Sequence, residues 1–143
     1  MPPPKGYELN EDDSETADTE DTRTYSKSSV NDKDQINPSI VISVTNKADD
    51  DYSEDDNALA EDMLGTIKGA LASYKADKMV VKQMGGLKFK RFAWSGTNPD
   101  NIPMKGVVLS YNKGPQAVII CIMDRATRAG GTIYELEKSV SSS

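Results

Sequence analysis

No histidine occurs among the 143 residues. That absence removes Ser-His-Asp and Cys-His catalysis, His-Glu metalloprotease motifs and most catalytic zinc sites. A single cysteine, Cys121, excludes any internal disulfide. No stretch approaches the roughly 20 apolar residues that a bilayer-crossing helix needs. Met1-Pro2-Pro3-Pro4 opens no signal peptide, since no apolar segment follows it. The chain is therefore expected to be cytoplasmic or trimmed of an export signal. Apolar residues are scarce at 36%, against 28% charged, as for a folded body joined to something poorer in core-forming residues.

The formal charge of −6 speaks against a general nucleic-acid binder, whose affinity depends on neutralising phosphates. Its distribution says more than its total. Residues 1–56 carry 16 acidic and 5 basic side chains, whereas residues 68–143 carry 5 acidic and 12 basic. An acidic front and a basic back attract one another or face different partners. Residues 10–21, NEDDSETADTED, hold nothing apolar larger than alanine and cannot offset the entropy of ordering themselves. We expect residues 1–21 to be an acidic, flexible N-terminal segment and residues 22–143 to form one α/β domain.

Tyr7-Glu8-Leu9 reads as a short strand and Thr22 to Ser29 as an edge strand. Ile40 to Val44 alternates, with Ile40, Ile42 and Val44 on one face and Val41 on the other. Ser53-Glu54-Asp55-Asp56 caps a helix over about 57–76, whose apolar face is Ala60, Met63, Leu64, Ile67, Leu71 and Tyr74. Gly65 and Gly69 cost that helix about 1 kcal/mol each, and close approach to a sheet would account for them.

A meander follows. Lys78–Met84 and Leu87–Trp94 flank Gly85-Gly86, suited to a tight hairpin with positive φ angles. The loop Ser95 to Pro103 leads into Met104–Tyr111, and Asn112 to Pro115 turns the chain into Ala117–Met123. That last strand, AVIICIM, is apolar throughout, so both of its faces need cover. A second helix, Thr132 to about Val140, supplies the other layer through Ile133, Leu136 and Val140. The fold class is α+β: an antiparallel meander packed between helices in a three-layer α/β/α sandwich.

Few residues carry chemistry. Cys121 sits inside VIICIM, the opposite of the electropositive, exposed setting a reactive thiolate needs. Neither Gly85-Gly86 nor Gly130-Gly131 runs on into a Gly-Lys-Ser/Thr phosphate loop, so both are turn glycines. Asp49, Asp51 and Asp55 in the run DDDYSEDD are candidate cation ligands. The glycine of an EF-hand loop is missing at the sixth position, so a solvated loop that binds divalent cations weakly is the plainer reading. The positive candidate is LKFKRFAW, in which Lys88, Lys90 and Arg91 interleave with aromatics. With Trp94 and the nearby Lys105 it could grip nucleic acid or an acidic protein surface. The plainer alternative is a strand with aromatics inward and lysines solvated. Strict alternation parts Phe89 from Phe92, and a bulge near Lys90-Arg91 would reunite them.

The helix after an acidic loop, the Gly-Gly hairpin, and the succession KFKRFAW, KGVVLSY, AVIICIM before a closing helix resemble the PsbP/DcrB family, within the Mog/PsbP superfamily. The resemblance spans Ser39 to Val140. It implies an antiparallel sheet between helices, no cofactor and a non-enzymatic role as an accessory, assembly or exported lipoprotein domain. A periplasmic or extracellular location then becomes the expectation, with a lipid anchor lost on trimming. The acidic opening Asn10 to Asp21 departs from the family pattern, and no family binding residues match here. The expected function is binding a protein partner. The competing readings are a small hydrolase or ligand-binding enzyme with a histidine-free site, and a calcium-responsive module acting through the acidic loop.

Overall fold

A computed structural model describes residues 6–9, 15–16, 20–27, 36–46, 58–113 and 116–141. The elements run β1 (Glu8–Leu9), β2 (Glu15–Thr16), β3 (Glu20–Ser26), β4 (Ser39–Asn46), α1 (Ala58–Ala70), β5 (Ser73–Ala76), β6 (Val80–Met84), β7 (Leu87–Thr97), β8 (Pro103–Lys113), β9 (Gln116–Arg125) and α2 (Ala126–Ser141). All described pairings are antiparallel, in the order β1-β3-β4-β9-β8-β7-β5. β2 shares the outer edge of β3 with β1, and β6 shares that of β7 with β5.

The apolar strand β9 lies mid-sheet between β4 and β8, as its composition requires. Its residues alternate between two cores. Val118, Ile120 and Ile122 join Ile40, Phe89, Val107, Leu109 and Leu136 of α2 in one cluster. Ile119 and Cys121 join Trp94, Met104, Val108 and Ala60 of α1 in the other. The period of two along each central strand thus sends every second side chain to a different helix. Three layers follow, with the sheet dominant.

Local expectations fared unevenly. Gly85 and Gly86 take φ values of 58° and 81°, the left-handed pair that a two-residue hairpin demands. The loop before β8 is shorter than expected, because Ser95 to Thr97 extend β7. Asn98 closes the remainder: its Oδ1 accepts from the backbone N–H groups of Asp100 and Ile102, both at 3.0 Å. β3 is not an edge strand, since β1 and β2 line its outer side. Those two short strands bring residues 8–9 and 15–16 of the acidic opening onto the sheet.

Both helices differ from their expected limits. α1 stops at Ala70, and Ser73 to Ala76 form β5 instead of a last helical turn. The outer edge of β7 offers unpaired backbone groups there. Ala72 donates its N–H to the Thr97 carbonyl at 2.8 Å, and the Ser73 and Thr97 hydroxyls meet at 2.8 Å. Tyr74 still reaches the α1-side cluster, from a strand, which is why a helical period seemed to continue through it. Gly65 and Gly69 do not approach the sheet: both are exposed, and a Cβ on either would meet nothing within 4 Å. α2 begins at Ala126, six residues early, and Gly130-Gly131 lie within it and not in a turn. The expected cap Ser53 lies outside the described residues.

Candidate functional site

Three places combine exposure, charge or space: the β6–β7 hairpin, a polar cleft beside α2 and an apolar void beneath α1.

The hairpin has two dissimilar faces. β7 alternates without a bulge, its register with β8 unbroken from Lys90↔Ser110 to Thr97↔Pro103. Phe89 and Phe92 therefore stay apart, one in each core, and no bulge reunites them. Phe89 lies with its ring centroid 5.6 Å from that of Tyr111, and Met84 is buried beside it in the α2-side cluster. On the same face, Glu137 of α2 clamps the hairpin. It is nearly fully buried and accepts from Arg91 Nε at 3.0 Å and from Lys82 Nζ at 3.1 Å. The opposite face carries the cross-strand pairs Val81↔Lys90 and Gln83↔Lys88. There Val81 is 61% exposed, and Gln83 and Lys88 are exposed too. Val80 and Leu87 add exposed apolar surface along the same ribbon.

The expected binding set is thereby divided. Lys88 and Lys90 share the open face. Arg91 turns to α2 and pairs with Glu137. Trp94 is 3% exposed and belongs to the α1-side core, so it offers no surface to a partner. Lys105 is exposed but pairs in register with Ser95, seven residues along β7 from Lys88, or about 23 Å. Alternation also puts it on the α2 side. Asp49, Asp51 and Asp55 lie outside the described residues, and among the described residues no three His, Cys, Asp or Glu side chains gather to hold a metal.

The polar cleft, about 390 Å³, is lined by Tyr7, Lys27, Pro38, Thr127, Arg128, Gly131, Thr132 and Glu135. Beneath it lies a network that sequence reasoning missed. Asp124 is fully buried and accepts from Arg128 Nη2 at 2.8 Å, Thr132 Oγ1 at 2.6 Å and the Arg125 backbone N–H at 2.7 Å. Arg128 Nη2 also donates to the Ile36 carbonyl at 2.8 Å. The signal was legible in the spacing: Arg128 and Thr132 fall four apart on one side of α2, four and eight residues after Asp124 near the end of β9. The network holds the first turns of α2 despite their two glycines. Burial first, then the carboxylates of Asp124 and Glu135, push the Tyr7 hydroxyl up to about 12, so it stays protonated. Each carboxylate buried among the described residues, Asp124 and Glu137, answers a cation.

The void beneath α1, about 150 Å³, is lined by Ser39, Val41, Met63, Ile67, Trp94, Cys121, Ile122 and Met123. Desolvation pushes the Cys121 thiol up to about 12, far from a nucleophilic thiolate.

No sequence-family profile matches the chain. No curated protein sequence matches it either. Solved structures do. LpqN, involved in cell envelope biogenesis of Mycobacterium tuberculosis, superposes with a TM-score of 0.59 at 10% identity, covering 100% of this chain and 79% of its own. Cyanobacterial PsbP (CyanoP) from Synechocystis sp. PCC 6803 gives 0.59 at 14% identity, covering 98% and 81%. The Saccharomyces cerevisiae Ran-binding protein Mog1p gives 0.52 at 14% identity, covering 94% and 81%. These likenesses, over nearly the whole chain and with the element order derived above, show that the protein has the Mog/PsbP fold.

Proposed function

We propose that this domain is a non-enzymatic binding module that docks an acidic protein surface on the open face of the β6–β7 hairpin. The observation that carries this reading is Val81, 61% exposed on a ribbon whose same face bears Lys88 and Lys90. An exposed valine beside two lysines on a lightly covered edge suits a partner that brings carboxylates and a small apolar contact. Among the described residues no strand pairs with the outer side of β6. Two proteins of the same fold, Ran-binding Mog1p and LpqN of cell envelope biogenesis, support an accessory role. The LpqN likeness favours an exported location, and no helix of the described residues is long and apolar enough to cross a membrane.

A hydrolase reading has less support, because the buried carboxylate beneath the polar cleft, Asp124, is engaged in fixing α2. The acidic run containing Asp49, Asp51 and Asp55 is retained as a weak divalent-cation attractor, which calorimetry with calcium tests. For the docking face, the test is a titration of the ¹⁵N-labelled chain with a six-residue peptide of alternating Glu and Val. Amide shifts should concentrate on β6 and β7, weaken with salt and disappear in Lys88→Glu/Lys90→Glu. Shifts centred on α2, or none at all, would overturn the reading.

A further inference from the structure

The two outer sides of the sheet are finished differently. β1 and β2 line the outer side of β3, whereas among the described residues β7 is the one strand that β6 pairs with. Edge strands in native proteins commonly carry charges, prolines or bulges that deter further pairing. β6 has no proline, and its register with β7 is unbroken from Val80↔Arg91 to Met84↔Leu87. Its single charge, Lys82, is drawn to Glu137 at 3.1 Å on the α2 side. Val80 and Val81 are 50% and 61% exposed, and Lys82 and Gln83 are exposed with them.

The register also fixes which backbone groups face outward. Gly85 and Gly86 form a two-residue turn, so Met84 and Leu87 close it as a hydrogen-bonded pair. Bonded and non-bonded pairs alternate along an antiparallel ladder. Lys82↔Phe89 and Val80↔Arg91 are therefore bonded inward, and Val81 and Gln83 turn their N–H and C=O groups away from β7. Neither residue finds another backbone partner among the described residues.

We infer that this edge takes up an extended, acidic segment of a partner protein as an added antiparallel strand, held by the N–H and C=O groups of Val81 and Gln83. This mode of holding rests on the docking face proposed above and adds a backbone contact to it. Partner residues that exchange bonds with Val81 and Gln83 point their side chains to the same face as those two. An apolar residue opposite Val81 covers the exposed valine. An acidic one opposite Gln83 reaches across it towards Lys88, its neighbour in register on β7. Antiparallel order puts the acidic residue two positions before the apolar one. Residues 78–91 hold five basic side chains and no acidic one. A second copy of the hairpin would thus set like charges side by side, which an acidic segment avoids.

The test titrates the ¹⁵N-labelled chain with the end-blocked peptide TTETVTT and two isomeric derivatives. One is N-methylated at the glutamate and the valine, whose N–H groups face β6; the other at the two threonines flanking the valine. The second should bind like the parent and the first at least about tenfold more weakly, the worth of one or more hydrogen bonds. The Val81 and Gln83 amides should exchange rapidly in the peptide-free chain and slow on binding, while that of Lys82, bonded to β7, changes little. Val81→Pro should abolish binding and keep the fold, because it removes only an outward N–H. If that variant does not fold, the two isomers still decide. Equal affinity of the isomers would overturn the added strand and leave the docking face standing. Discrimination between them that survives Lys88→Glu/Lys90→Glu would support the added strand and remove the lysines from the docking reading. Protection of the Val81 and Gln83 amides before peptide is added would also overturn the inference. Where it rises with chain concentration a second copy holds the edge, and otherwise another segment of this chain does.

Discussion

The two faces of the sheet are held by different physics. The α2 face is tied by buried ionic networks, Asp124 with Arg128 and Thr132 near the start of the helix and Glu137 with Arg91 and Lys82 further along. The α1 face is packed mainly by apolar contact. Its shorter helix packs Ala60, Met63, Leu64 and Ile67 on apolar strands, over a void and an unsatisfied indole. Directional networks specify a single seating, whereas non-directional apolar contact lets a helix shift. The difference assigns rigidity to one layer and adaptability to the other.

The largest effect should come from Asp124→Ala. It strands the Thr132 hydroxyl and the guanidinium of Arg128; because that guanidinium is partly exposed, we expect a loss near the lower end of the buried-pair range, about 3 kcal/mol by urea denaturation. Arg91→Glu should follow, at about 2 kcal/mol, because it sets a second carboxylate against buried Glu137. Lys88→Glu, on the exposed face, should change stability by less than about 0.5 kcal/mol. If the two charge reversals destabilise equally, the contrast between the hairpin's faces is wrong. Arg91→Glu is accordingly unsuitable as a docking variant, whatever its partner binding.

On the α1 side, Gly65→Ala and Gly69→Ala should each stabilise by about 1 kcal/mol, since both sites are exposed, helical and open. Thermal unfolding checks this, and loss of stability would mean that a contact covers the exposed side of α1. The smallest effect is zero at neutral pH. The folded-state pKa of Tyr7 stands near 12 against an ordinary 10.0, so the unfolded chain gives up that proton first. The associated stability is complete below pH 10 and is lost as pH rises towards 12. Cys121, raised from 9.0 to about 12, adds a loss that begins near pH 9. Tyr7→Phe should flatten the first slope and Cys121→Ala the second in urea midpoints measured from pH 8 to 12.

Much of this was open to reading because periodicity is a local property. AVIICIM demands cover on both faces wherever it lies, and Gly85-Gly86 demands a tight turn. The same reasoning failed where distant groups outbid local preference. Tyr74 continues a helical spacing, yet the free edge of β7 draws its segment into β5. Gly130 and Gly131 look like a turn, yet Asp124 reaches Arg128 and Thr132 and carries α2 through them. LKFKRFAW announces basic and aromatic residues together, but only the register shows Trp94 buried, Arg91 turned to Glu137, and Lys88 and Lys90 on the opposite face.

The chain alone therefore determined the layers, the central strand, the hairpin and the exclusion of histidine chemistry, because these follow from composition and from periods of two and 3.6 residues. Tertiary structure alone decided where α1 ends and α2 begins, which charges are paired, and that the lone indole is buried in the α1-side core. Those outcomes depend on backbone edges and side chains that meet only after the sheet has closed around β9.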